Sequence, residues 1–283
     1  MAAPTFVDAG FVGSVPVLFN PAGYLSKDGK YYTMEQAVAF VTISAAFNGW
    51  YTKTQETFGA NFTSVNILEI YPFVNEMKPI GFVMVDATIT TKDKKNTTVR
   101  IPGAALLRGG AVAILMIAVS ASDPTKKFVI NTVQARAPGS KPAYEEIPAG
   151  MIDGSKDFKG VAAKEMEEET GLTMNEREFE FLGMIYPSIG GCDECIALYR
   201  VIKNMSDDEI AKLEGKATGA AGENEVITVK VRTYDDFVNA LRSGDITDAK
   251  ALSAYALHTL KPMSGGARKV ARKRMTRRKL QKK

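Results

Sequence analysis

Cysteine and histidine are nearly missing from this 283-residue sequence, which holds two of the first and one of the second. Two thiols make no disulfide scaffold for a chain of this length, and their scarcity points to a reducing compartment. Cys192 and Cys195 have C-x-x-C spacing, but one such pair offers too few ligands for a structural zinc. The single histidine, His258, falls in an expected closing helix, which sets aside Ser-His-Asp and Cys-His hydrolase chemistry. No apolar run reaches the ~18 residues of a membrane span. The first residues lack the basic flank and apolar core of a secretory signal. The expectation is therefore an intracellular protein with no membrane partner, cytoplasmic or nuclear, with organelles left open. No internal repeat is found.

Acidic residues are absent from one stretch. Residues 268–283, RKVARKRMTRRKLQKK, carry ten Lys or Arg and no Asp or Glu. Taking those ten from the formal net charge of +4 leaves about −6 for residues 1–267. The body is mildly acidic and the end carries the excess positive charge. Such a tail alone is expected to be disordered. It suits RNA or ribonucleoprotein contact through phosphates, a nuclear address, or a merely solvated extension. No aromatic residue interleaves its charges, so base stacking is not suggested.

What is present is enough apolar residue, 45%, to build a core. Periodicity predicts a helix over 34–57, then strands at 80–91 and 97–101 joined by a polar turn. Buried strands are expected at 109–121 and 127–136, with a turn at Pro138-Gly139 and a short strand at 143–147. Gly150 to Ser155 reads as a loop. Asp157 is placed to cap a helix running to about Thr170, with Gly171 at its C′ position. Strands at 180–186, 195–202 and 225–234 follow, with helices at 206–215, 235–242 and 247–260. Gly265-Gly266 separates the tail. Strand and helix alternate irregularly, which fits an α+β or α/β/α sandwich better than a doubly wound parallel sheet.

The helix from Asp157 contains the most unusual composition. Glu165, Glu167, Glu168 and Glu169 are crowded into two turns. Glu165, Glu168 and Glu169 lie at i, i+3 and i+4 and share one face, where like charges repel. Ala162, Ala163 and Met166 fall on a neighbouring side that can pack inward. Lys164, four residues before Glu168, can brace it. A cluster of hard oxygen donors suits Mg²⁺, with Mn²⁺ as a substitute, held together with substrate phosphates. The plain alternative is a solvated acidic face.

The spacing Gly150, Glu165, Met166, Glu168, Glu169, Gly171, Leu172 resembles the box of the Nudix hydrolases, a loop–helix–loop that binds divalent metal. Lys156 stands where the box expects Glu, and Lys164 where it expects Arg, which loses the planar fork that grips a carboxylate. The likeness extends over about residues 80–262 and is greatest to the ADP-ribose and ADP-sugar diphosphatase branch, plant-type ADP-sugar diphosphatases above all. IPAGMIDGSKDF (147–158), PSIGGCDE (187–194), LEGKATG (213–219), GENEVITVKV (222–231) and TDAKALSAYAL (247–257) carry it.

The resemblance implies an α+β Nudix α/β/α sandwich over 105–262, an N-terminal α/β extension over 1–104 and a basic tail over 263–283. It implies metal ligands at Glu165, Glu168, Glu169 and the carbonyl of Ala149. It implies a catalytic base at Glu223 or Glu225, and substrate contacts at Gln134, Arg136 and Glu194. Arg136 also reads as a salt-bridge partner. The extension is expected to build a homodimer or to lie as a lid on its own subunit. The implied reaction is metal-dependent hydrolysis of ADP-ribose or an ADP-sugar to AMP and a sugar phosphate. The alternative is a weakly active Nudix-fold subunit, anchored by its tail to an RNA–protein assembly such as a ribosome.

Overall fold

The computed structural model describes residues 6–9, 13–25, 29–72, 81–152, 154–155, 157–219 and 226–260. The chain opens with four short strands, β1 (Val7–Asp8), β2 (Val17–Phe19), β3 (Tyr24–Leu25) and β4 (Tyr31–Tyr32). Two helices follow, α1 (Met34–Ile43) and α2 (Ala45–Phe58), and then strands β5 (Phe62–Pro72), β6 (Gly81–Lys92), β7 (Thr98–Ile101) and β8 (Ala104–Leu107). The first sheet runs β1-β2-β5-β6-β7, with β8 also on β6. Its core joins the sheet to α1 and α2 through Phe19, Phe40, Phe47, Tyr51 and Phe62.

The helix expected over 34–57 is two helices. The buried residues Ala37, Phe40, Val41, Phe47, Tyr51 and Thr54 recur at helical spacing across the break, so hydrophobicity alone does not show it. Ser44 makes it. Its N–H donates back to Phe40 and Val41, closing α1, while its side chain accepts from the Phe47 N–H at 3.3 Å, opening α2. A serine competes with the helix for its own backbone in this way. Strand β5 was not expected at all: its alternation is broken by a register shift between Ile67 and Glu69.

The second sheet begins at β9 (Ala111–Ser120), buried at every position. Next come β10 (Lys127–Arg136), β11 (Lys141–Glu146), β12 (Ala149–Met151), α3 (Phe158–Thr170), β13 (Glu180–Ile185) and β14 (Ile196–Met205). α4 (Asp207–Ala211), β15 (Ala217–Thr218), β16 (Ile227–Thr233), α5 (Tyr234–Ser243) and α6 (Ala249–Leu260) complete it. Strand order is β13-β14-β9-β10-β16-β15, with β11 on β10 and β12 on β9. Along β9, Val112, Ile114, Met116 and Ala118 pack toward α3. Ala111, Ala113, Leu115 and Ile117 pack toward α5 and α6. Period-2 alternation thus gives a sheet with helices on both faces, as an α/β/α sandwich requires.

Part of the expected 150–155 loop is strand. β14 pairs in parallel with β9 from Ala111 to Ser120. On the other edge β10 covers only Met116 to Val119. That leaves the first residues of β9 open, and β12 takes them, pairing Ala149 with Ala113 and Met151 with Ala111. The helix expected at 206–215 stops at Ala211, and the turn after it ends on Gly215 at φ +73°.

Candidate active site

Helix α3 is fixed at both ends. The Asp157 carboxylate accepts from the Gly160 N–H at 2.9 Å, and Gly171 ends the helix in the left-handed region at φ +71°. A helix leaves its last carbonyls without intrahelical donors. Here Gly219 N–H donates to Glu168 O at 3.1 Å, and the Thr218 hydroxyl to Glu169 O at 2.6 Å. Lys216 Nζ reaches Thr170 O at 3.4 Å. Ala162 and Met166 are fully buried against the sheet, which turns the acidic face of the helix toward β12.

The three glutamates are not equivalent. Glu169 is 4% exposed, and its Oε2 accepts the Ala149 N–H at 3.1 Å. Glu165 is half-buried, its carboxylate lying over the Cα of Gly150, where any Cβ would collide with it. Glu168 is half-buried like Glu165, with Lys164 Nζ 3.2 Å from its Oε2, the brace expected from the sequence.

The backbone of β12 completes the arrangement. Ile114 N–H donates to Pro148 O at 2.9 Å. This makes Ala113 and Ala149 a non-hydrogen-bonded pair, so Ala149 turns its N–H and C=O away from β9. The N–H meets Glu169, and the carbonyl leaves the strand on the same side. The donor set is hard oxygen throughout, which fits Mg²⁺ or Mn²⁺. Among the described residues, no three Asp, Glu, His or Cys side chains are gathered closely enough to enclose an ion by themselves. Such cations are ordinarily held by one or two carboxylates with water and substrate phosphates.

The residues expected at the substrate lie on separate elements, Gln134 and Arg136 on β10 and Glu194 just before β14. Gln134 is at an even position of β10, as is Ile130, which faces the α3 layer, and alternation puts it on that face; a register shift against β11 falls between Gln134 and Arg136, so the same count does not carry over to Arg136. Arg136 donates from Nε to Glu146 Oε1 at 2.8 Å, with Nη2 at 2.7 Å, and keeps 42% of its side chain exposed. Glu194 lies 3.3 Å from Arg108 Nε, an ion-pair distance without hydrogen-bond alignment, since that nitrogen makes no hydrogen bond. Its neighbour Asp193 has the tighter role, accepting from the N–H groups of Arg108 and Gly109 at 2.8 and 3.2 Å. Burial pushes the Asp193 carboxyl up, and those two N–H bonds oppose the shift. Lys156, Glu223, Glu225 and residues 263–283 lie outside the described residues.

A cleft of about 670 Å³ opens beside the box, between the first sheet's layer and the second. Met151, Ile152 and Phe158 form one wall, Trp50 and Phe58 another, and Tyr186 and Ile189 the rim. Lys53 Nζ lies 5.9 Å from the centre of the Tyr186 ring.

The NUDIX domain profile matches residues 112–255, about half of the chain. The chain belongs to the Nudix hydrolase family. Within it, this Nudix protein stands with the ADP-ribose and ADP-sugar branch. It is 32% identical over 198 residues to "Nudix hydrolase 14, chloroplastic" of Arabidopsis thaliana, covering 66% of this chain and 60% of that one. It is 30% identical over 151 residues to "ADP-ribose pyrophosphatase" of Bacillus subtilis, 53% of this chain and 71% of that one. It is 31% identical over 147 residues to "Methanol dehydrogenase activator" of Bacillus methanolicus, 51% of this chain and 69% of that one. A crystal structure described as an ADP compounds hydrolase aligns with 70% of this chain and 94% of that one, at 13% identity and a TM-score of 0.44.

Sequence reasoning missed three residues at the edge of this Nudix site. Glu146 is 3% exposed and takes Arg136 on one oxygen and Lys250 on the other, the latter at 2.8 Å. Lys250 also reaches Asp248 Oδ1 at 2.9 Å. Burial works against the Lys250 ammonium, and the two carboxylates outweigh it, holding its pKa above the usual lysine value. The sequence signal was a lysine two residues after an aspartate at a helix start, but the glutamate it meets is about a hundred positions away.

Proposed function

We propose that this protein hydrolyses the diphosphate bond of ADP-ribose or an ADP-sugar, using Mg²⁺ or Mn²⁺, and releases AMP and a sugar phosphate. The observation that supports this most is the seating of two α3 carboxylates on β12: Glu169 on the Ala149 N–H, and Glu165 over the Gly150 Cα. Glu165, Glu168, Glu169 and the Ala149 carbonyl would hold the metal. When bound, it neutralises diphosphate charge and lowers the pKa of water. Glu223 or Glu225 takes the proton from the attacking water as general base. The chain that leads to them is tied to α3 by the Thr218 and Gly219 bonds. Gln134 and Arg136 orient the phosphates from β10, Arg136 through its exposed guanidinium edge. The cleft beside the box receives the non-phosphate part, and its aromatic walls suit a planar ring.

The deciding experiment is phosphate release, coupled to a phosphomonoesterase, on ADP-ribose, ADP-glucose and other nucleoside diphosphates, with and without Mg²⁺. Metal-dependent cleavage of an ADP-sugar is expected. Folded protein that cleaves none of them would overturn the reading and direct attention to residues 268–283 and an RNA or ribonucleoprotein partner.

A further inference from the structure

Three consecutive residues lead the chain into the site, and each is held by a different element. Asp248 Oδ2, at the head of α6, accepts the Ile147 N–H at 3.1 Å. β9 donates to Pro148 O through Ile114 at 2.9 Å. Glu169 of α3 accepts the Ala149 N–H at 3.1 Å. The first of these holds is itself braced. Lys250 Nζ lies between Asp248 Oδ1 at 2.9 Å and Glu146 Oε2 at 2.8 Å. Glu146 ends the strand that delivers Ile147, and both carboxylates are 3% exposed.

We propose that Asp248, Lys250 and Glu146 form a positioning clamp that sets the direction of the Ala149 carbonyl toward the divalent cation. This rests on the metal-site reading given above. Capping α6 does not require the lysine, because Asp248 already accepts the Lys250 and Ala251 N–H groups with its own oxygens. Fold stability does not require a buried ion triad either, since apolar packing of similar volume usually serves as well. What the lysine adds is a fixed separation between the head of α6 and the last residue of β11. Ile147 is then gripped from both sides, two residues before the carbonyl that matters. Groups that orient metal ligands commonly change metal affinity or activity by ~10–100-fold when removed.

The test uses the full chain. Mn²⁺ affinity is measured by electron paramagnetic resonance without substrate, and kcat and KM for ADP-ribose are measured separately. Lys250→Met and Asp248→Asn are each expected to weaken Mn²⁺ binding by ~10-fold or more. KM should change by less than the Mn²⁺ constant does, and Lys250→Arg should recover part of the loss. Folded variants that bind Mn²⁺ as the unmodified protein does would overturn the clamp. Should both variants fail to fold, hydrogen exchange on the unmodified protein decides: Mn²⁺ is expected to slow exchange at the Ile147 amide, and an unchanged rate at saturating metal overturns the proposal. Unmodified protein that binds no Mn²⁺ overturns it as well. Mn²⁺ binding without turnover of any ADP-sugar removes the functional reading and leaves the clamp standing.

Discussion

The two sheets are built alike and filled differently. Each packs helices against strands around an apolar core, yet the buried charged side chains among the described residues, Glu146, Glu169, Arg200 and Asp248, all belong to the second sheet's layers. The first sheet buries Ser44 and Thr54 as its polar residues and relies on rings. Phe47 stacks on Tyr51 at 5.8 Å, and Phe62 meets both Trp50 and Tyr51 edge-on. Burying charge costs several kcal/mol per ion unless it is paired and hydrogen-bonded. In the second unit Glu146, Glu169 and Asp248 are gathered about β12 and its approach, while Arg200 pairs with Glu180 and His258; the first lends Trp50 and Phe58 to the cleft.

The comparison can be broken at its strongest point in each half. Phe62→Ala should cost about 3–5 kcal/mol in urea unfolding and leave the Mn²⁺ affinity of the folded protein unchanged. A matching loss of metal binding would show that the halves are one energetic unit. Glu169→Gln should lower kcat by ~100-fold or more, with the thermal midpoint little altered; a variant that keeps most of its turnover removes Glu169 from the metal site. Gly150→Ala should cut activity ~10-fold at small cost in stability, because the added methyl meets the movable end of Glu165 rather than backbone. Wild-type turnover by that variant would mean the Glu165 carboxylate does its work elsewhere.

A smaller effect concerns acid. His258 has its pKa lowered, first by burial and then by the Arg200 guanidinium, whose Nη1 lies 2.9 Å from its Nδ1. The folded state therefore resists protonation more than the unfolded one does. The stability this represents is complete above the unfolded histidine pKa, about 6.5, and is lost as pH falls through the lower folded value. Urea midpoints between pH 7.5 and 5 should fall less for His258→Gln than for the unmodified chain, and identical slopes would refute the assignment. The smallest expected effect is from removing residues 263–283, which should leave ADP-ribose turnover unaltered. If turnover is lost, the tail belongs to the site.

The sequence was informative where structure is local. The apolar run at 109–121 was readable as a buried strand, which the structure has at Ala111–Ser120, and Asp157 and Gly171 mark the ends of α3 by side-chain and backbone preferences that need no partner. The acidic face and its Lys164 brace were legible for the same reason, since residues three and four apart on a helix meet whatever surrounds them. Ser44 was not legible, because its break interrupts no hydrophobic pattern. β12 was not, because a three-residue strand exists only where β10 leaves an edge uncovered. The Glu146–Lys250–Asp248 contacts depend on α6 arriving beside β11 after a hundred residues of intervening chain. Arg136 shows the limit most directly: its position on β10 was readable and a surface salt bridge was one alternative for it, but nothing local named the buried Glu146 as its partner.

The parallel pairing of β9 with β14 has a kinetic consequence. Ile196 lies opposite Ala111, about 85 positions earlier, and α3 sits within the intervening crossover. Parallel partners so far apart must lose the entropy of closing a long loop before any contact repays it, and chains dominated by such contacts fold slowly. The glutamate helix has no finished sheet to lie on until that closure is made. Divalent cations added to a refolding chain should therefore leave the slow step unchanged and act only afterwards, by slowing the return.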